Sequence, residues 1–110
     1  MATAFKNKIL NAIGTSPVKI YEGPTISTET TVIGLSLANT TTGLVEASVY
    51  VQDDTSAQAF YIKNVQIAAG SALRVVTSGE KLIIPYEYDL FVVSNTPASI
   101  DVVMSYVEIS

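Results

Sequence analysis

The chain contains no cysteine and no histidine. Without thiols there are no disulfides, no thiolate nucleophiles and no cysteine-ligated metals; without imidazole the commonest general base and the commonest metal ligand are both missing. No apolar run approaches about 18 residues, so no membrane-spanning helix is written into the sequence. The N-terminus lacks an apolar segment followed by a cleavage site, and no signal peptide is expected. Charged residues make up only 15% of the chain, and no basic stripe carries interleaved aromatics, which argues against nucleic acid as a partner. There is also no Gly-x-Ser-x-Gly elbow, phosphate loop or glycine-rich dinucleotide fingerprint. These absences together predict a protein that is not an enzyme and that holds neither cofactor nor metal.

What the chain does have is apolar content: 48% of 110 residues, enough for one domain to bury a core without staples. Its charge is unevenly placed. Lys6, Lys8 and Lys19 give residues 1–20 a charge of +3, while the other three bases against ten acids leave the remainder at −7. A basic leading segment therefore precedes an acidic body.

The longest organised stretch runs from Thr30 to Asp53. Val45, Ala47, Val49 and Val51 alternate with Glu46, Ser48, Tyr50 and Gln52, the period-2 pattern of a strand with one buried face. Before it, Ile33, Leu35 and Leu37 take the buried face of a first limb, and Asn39-Thr40-Thr41-Thr42-Gly43 supplies turn chemistry, which together predict a hairpin. On that first limb Val32, Gly34, Ser36 and Ala38 form a small, uncharged outer face that would let a neighbour approach closely.

From the N-terminus, Phe5, Ile9 and Ile13 fall at i, i+4 and i+8 with Gly14 just beyond, which reads as a short helical stripe with a C-terminal stop. Ten residues make a marginal helix, so residues 1–16 are expected to be an arm that orders by packing on something else. The domain proper is expected over 17–110. Pro17 to Glu22 reads as a first short strand closed by Gly23-Pro24, and Thr25 to Thr31 as a loop. After Asp53-Asp54-Thr55-Ser56, strands are expected at Gln58 to Ile67, Ala72 to Thr77, Lys81 to Ile84, Tyr88 to Ser94 and Ser99 to Ile109, with turns at Ala68 to Ser71, Ser78 to Glu80 and Asn95 to Pro97. About eight strands at this spacing predict an all-β fold, an antiparallel sandwich, barrel or jelly roll.

Strands that are apolar on both faces need cover on both. In the last strand Ile100, Val102, Met104 and Tyr106 line one face while Val103, Val107 and Ile109 line the other. Such a strand is either central or covered by another subunit. We therefore take Val103, Val107 and Ile109, with Phe5, Ile9, Ile13, Lys6 and Lys8 of the arm, as candidate interface residues of a homo-oligomer.

Candidate chemistry is sparse. Glu87 and Asp89 at i, i+2 on a strand would place two carboxylates about 7 Å apart, a separation glycosidases use, although a solvated strand edge explains them as well. Asp53-Asp54 lacks the spaced third ligand of a calcium loop. Tyr86, Tyr88, Tyr50 and Tyr61 could form an aromatic platform for a sugar or peptide, or simply pack across strands.

The run TTVIGLSLANTT, then YIKNVQIAAGSAL from Tyr61, GEKLII from Gly79 and SIDVVMSYVEI from Ser99, resembles small virion proteins of tailed bacteriophages over about residues 13 to 110. The resemblance implies a non-enzymatic β-sandwich or jelly-roll building block located in the virion, above all a capsid decoration (cement) protein. It implies the major capsid protein or other virion proteins as partners, and a homo-oligomer, first of all a trimer. A neck, tail, baseplate or fibre component is the alternative within that class, and a carbohydrate-binding module the alternative outside it.

Overall fold

A computed structural model of the chain describes residues 3–22, 29–77 and 80–109. The expected turns at Gly23-Pro24 and Ser78-Gly79, and the first part of the Thr25 to Thr31 loop, lie outside these residues. Within them the secondary structure is all strand and turn, the expected all-β class: β1 (Thr3–Ile13), β2 (Val18–Glu22), β3 (Glu29–Asn39), β4 (Val45–Gln52), β5 (Gln58–Ile67), β6 (Ala72–Val76), β7 (Leu82–Ile84), β8 (Asp89–Ser94) and β9 (Ile100–Ile109). Sheet A has the order β1-β9-β3-β6, with β7 also paired to β3; sheet B has the order β2-β8-β4-β5. Because β6 and β7 share one flank of β3, nine strands fill eight positions in two four-position antiparallel sheets, a jelly roll.

The chain changes sheet at almost every connection, and this corrects the expected central hairpin. β3 belongs to sheet A and β4 to sheet B, so these two long strands face each other across the core. The corner between them is held by Asn39: its Oδ1 accepts from the Thr41 amide at 2.9 Å and hydroxyl at 2.8 Å, while its Nδ2 donates to the carbonyls of Gly43 at 2.8 Å and Ile67 at 2.9 Å. Turn chemistry is the same whether the flanking strands pair or part, so sequence alone does not separate the two. The hairpin actually present in sheet B joins β4 to β5. There Asp53 Oδ1 gathers the Thr55 amide, the Thr55 hydroxyl and the Ala57 amide, and these donors hold the Asp53 carboxyl below its usual range.

The leading segment is a second correction. Residues 3–13 form an extended edge strand paired antiparallel with β9, from Thr3 opposite Ile109 to Ile13 opposite Ile100. A spacing of four residues is two strand periods as well as about one helical turn, so Phe5 and Ile9 share a strand face just as they would share a helix stripe. Ile13 leaves that face. The register shifts between Leu10 and Ile13, where Ala12 adopts a left-handed backbone with φ of 55° and donates its amide to Asp101 Oδ1 at 3.1 Å. The extra residue of this bulge turns Ile13 into the core, where it is 2% exposed. Gly14 then makes a close approach instead of stopping a helix: a Cβ there would meet the Ala98 amide nitrogen at 3.2 Å.

A bulge also re-aims β3. Its register against β9 shifts between Val32 and Gly34, so Val32 joins Leu35 and Leu37 inside and Ile33 is expelled to 38% exposure. Val32 and Ile33 therefore exchange the faces expected of them. The core between the sheets is aliphatic, with Ile20, Leu35, Leu37, Val49, Ile84, Leu90, Val92, Ile100 and Met104 all buried. Burying each such side chain stabilises by about 1.5 to 3 kcal/mol before chain entropy is set against it.

One polar cluster ties the sheets at their edge. Tyr21 of β2 donates to Glu108 Oε2 of β9 at 2.8 Å and shares a 2.6 Å hydrogen bond with Thr30 of β3; Lys6 of β1 pairs with Glu108 Oε1 at 2.8 Å. Burial pushes the Tyr21 phenol up to about 12, so it remains a donor throughout the neutral range. The Lys6 ammonium, and then the Tyr21 hydroxyl, hold the Glu108 carboxyl below its usual range.

Candidate assembly interface

Side chains alternate along each strand, so the residues of sheet A that do not enter the core share its outer face. Following the register, Phe5 lies opposite Val107, Val107 opposite Thr31, and Thr31 opposite Ile83. One step along, Asn7 lies opposite Ser105, donating to its hydroxyl at 3.2 Å, and Ser105 lies opposite Gly34. The next rung is Ile9, Val103, Ser36 and Arg74. Asp101 and Ala38 follow.

Two halves of this face differ in height. On β1 and β9 the outer face carries the large apolar side chains Phe5, 78% exposed, Ile9, 70%, and Val103, 47%, with Asn7 and Ser105 between them. On β3 the outward residues are Thr31, Gly34, Ser36 and Ala38, interrupted by the bulged Ile33 at 38% exposure. A ridge therefore runs beside a trough. A hollow of about 440 Å³ opens at the bulge end, lined by Ile9, Asn11, Asp101 and Val103 among others. A second, of about 180 Å³, lies between Gly34, Ser36, Arg74, Val103 and Ser105. A Cβ at Gly34 would meet only the Ser105 Cβ, at an ordinary 3.8 Å, and its φ is not left-handed. Nothing inside the subunit requires glycine at this position.

Of the residues singled out from sequence, Phe5, Ile9, Val103, Val107 and Ile109 come together here. Lys6 and Lys8 alternate to the opposite side of β1, where Lys6 is held by Glu108, and Ile13 lies in the core. Arg74, Asp101, Ile33 and Ile83 also belong to this face and were not singled out. Arg74 and Asp101 carry no local motif; only the pairing of β6 with β3 and of β3 with β9 brings them to one surface.

The outer face of sheet B is built differently. Phe60, Tyr50 and Phe91 lie opposite one another on β5, β4 and β8. Tyr50 stacks on Phe91 at 4.9 Å and meets Phe60 edge-on at 5.5 Å, with Lys19 over Phe91 at 5.8 Å and Lys63 over Phe60 at 5.1 Å. The rings contact one another, burying Tyr50 while Phe60 stays 50% exposed. Tyr61 donates to Glu80 at 3.0 Å, Tyr88 packs against the core, and Tyr86 stands exposed. The four tyrosines named from sequence thus make no common platform. Glu87 sits in a turn with φ of 67°, not on a strand beside Asp89, and Asp89 pairs with Lys19 at 3.4 Å. Among the described residues no group of three or more acidic side chains could hold a metal ion.

No protein-family model and no curated relative matches the chain. Its fold is nonetheless similar to solved structures. One is from a study of Bacillus endospore appendages that form disulfide-linked pili, with a TM-score of 0.59 and 10% identity over 98% of this chain and 88% of that one. A second is from the viral particle of IBDV, infectious bursal disease virus, with a TM-score of 0.55 and 9% identity over 96% of this chain. A third comes from the triple jelly roll and turret assembly of an archaeal virus, with a TM-score of 0.55 and 13% identity over 99% of this chain. The chain spans 30% and 29% of those two viral chains. At such identities the likeness establishes the jelly-roll fold. Disulfide linkage is closed to this chain, which has no cysteine.

Proposed function

We propose that the chain is a non-enzymatic structural protein of a tailed-phage virion, serving as capsid decoration and assembling through the outer face of sheet A. The observation that carries this reading is the ridge of Phe5, Ile9, Val103 and Val107, an apolar surface that the subunit does not cover itself. Exposing large side chains on a long edge strand invites association, and a monomeric protein that avoided partners would place charge or proline there. The fold supports the same reading, since jelly rolls of this kind occur in the viral particles and pilus to which the chain is similar. Self-associated copies would bury the ridge, and the major capsid protein would provide the seat.

Cryo-electron microscopy of the intact particle tests the reading. Density for this chain on the outer shell is the expected result. Density confined to neck, tail, baseplate or fibre would keep the structural role and overturn decoration, and absence from the particle would overturn both.

A further inference from the structure

Resting on the reading of sheet A as an assembly surface, we infer that its occupant is a second copy of the same face, paired about a two-fold axis that runs along the strands between β9 and β3. Such an axis places β9 of one copy over β3 of the other and β1 over the β6–β7 flank. Between β9 and β3 tall therefore meets small: Val103 lies over the partner's Ser36 and Val107 over the partner's Thr31, next to the bulged Ile33. Ile9 enters the hollow beside the partner's Gly34 and Arg74, and Phe5 meets the partner's Ile83.

The charges fit the same operation. Arg74 stands on the rung of Ile9 at the far side of the face, and Asp101 stands one step beyond Val103. The two-fold carries Arg74 of each copy to the Ile9 side of the other, into the 440 Å³ hollow that Asp101 lines. Arg74 makes no salt bridge among the described residues, and the Ala12 amide donates to Asp101 at Oδ1. Two Arg74–Asp101 pairs would then flank the bulge end of one apolar seam on both sides, and the glycine that nothing within the subunit demands leaves room for a neighbour's ridge.

Area is sufficient. Four strand positions side by side are about 19 Å wide and ten residues about 33 Å long, giving about 600 Å² of sheet per copy and about 1,200 Å² in the pair, above the threshold of a specific interface. An isologous contact of this kind closes at two copies, so at this face the threefold ring implied by the family resemblance gives way to a dimer.

The test uses the full chain. Arg74→Glu and Asp101→Lys should each weaken association about tenfold or more by sedimentation, and the double charge reversal should restore most of the loss. Ser105→Cys lies beside the axis, so a short bis-maleimide should link it to its equivalent in a second copy, while Gln58→Cys on sheet B should not link. Should Asp101→Lys unfold the bulge, Gly34→Leu replaces it: it should keep the melting temperature and lose the dimer. If the chain associates but the double reversal is not rescued and Ser105→Cys does not link, the two-fold is wrong and sheet A's role as an assembly surface stands. If the wild-type chain is monomeric at every concentration, both are wrong.

Discussion

The two outer faces of this jelly roll solve the same problem differently. On sheet B every large ring has a neighbouring ring or ammonium group, Lys19 pairs with Asp89, and Gln58 donates to Gln52 at 2.9 Å. On that face the rings engage one another and nearby ammonium groups, although Phe60 stays 50% exposed. On sheet A the large apolar groups stand beside a trough of small ones, and the ridge cannot fold over into it because both are fixed to the same pleated sheet. Equal aromatic or aliphatic content thus signifies stability where side chains cover one another and association where they do not.

Removing the β1 part of the ridge has the largest expected effect. Deleting residues 1–13 takes away Phe5 and Ile9, but also the buried Ile13, the partly buried Leu10 and every backbone hydrogen bond between β1 and β9. The leading segment is therefore expected not to behave as a separable arm. Losing two core side chains and opening the β9 edge should cost about 3 to 6 kcal/mol, read as a large drop in urea midpoint or as insoluble protein. Retention of the full-length midpoint would make β1 an accessory rather than part of sheet A.

Single substitutions separate the faces. Val107→Lys should weaken self-association about a hundredfold or more, because an unpaired ammonium would be buried in an apolar seam. It should leave the thermal midpoint of the dilute protein nearly unchanged. Phe91→Ala on sheet B should do the reverse: it removes the ring stacked on Tyr50 and lowers stability by about 1 to 2 kcal/mol, with no change in sedimentation. If both variants moved the same observable, the distinction between the two faces would fail.

Much of this was legible beforehand, for identifiable reasons. Strict alternation in Val45 to Gln52 and the two-faced last strand gave the all-β class and pointed to Val103, Val107 and Ile109. The trough residues Gly34, Ser36 and Ala38 were visible as a small uncharged face. What could not be read was anything set by a single extra residue or by long-range pairing. A bulge at Ile33 swaps Val32 and Ile33 between faces, and one at Ala12 sends Ile13 inward. The adjacency of Phe5 with Val107, and of Ile9 with Val103, depends on β1 pairing with a strand nearly a hundred residues away, which no local pattern encodes. Asn39 marked a turn; whether the chain stays in its sheet or crosses to the other is decided by the packing of the core.

The smallest expected effect lies at the edge where the two sheets are tied together, and it carries a pH signature. Glu108 accepts from Lys6 and Tyr21, and both partners favour its ionised form, so its carboxyl titrates below the ordinary range in the folded protein. A depressed carboxyl contributes stability that is fully present above the unfolded value of about 4.3 and is lost as pH falls through the folded value. Lys6 is half exposed, which screens the ion pair, so Glu108→Gln should cost only about 1 kcal/mol at neutral pH. Urea midpoints of wild type and Glu108→Gln, measured from pH 7 downward, should converge as the carboxyl of the wild type protonates. The Tyr21 phenol, with its value raised to about 12, cannot produce that convergence, since its own contribution is lost only as pH rises through that value. A gap between the two proteins that stayed constant from pH 7 to well below the unfolded value would mean that the amide fails for steric reasons, and that charge at Glu108 does not help hold sheet A to sheet B.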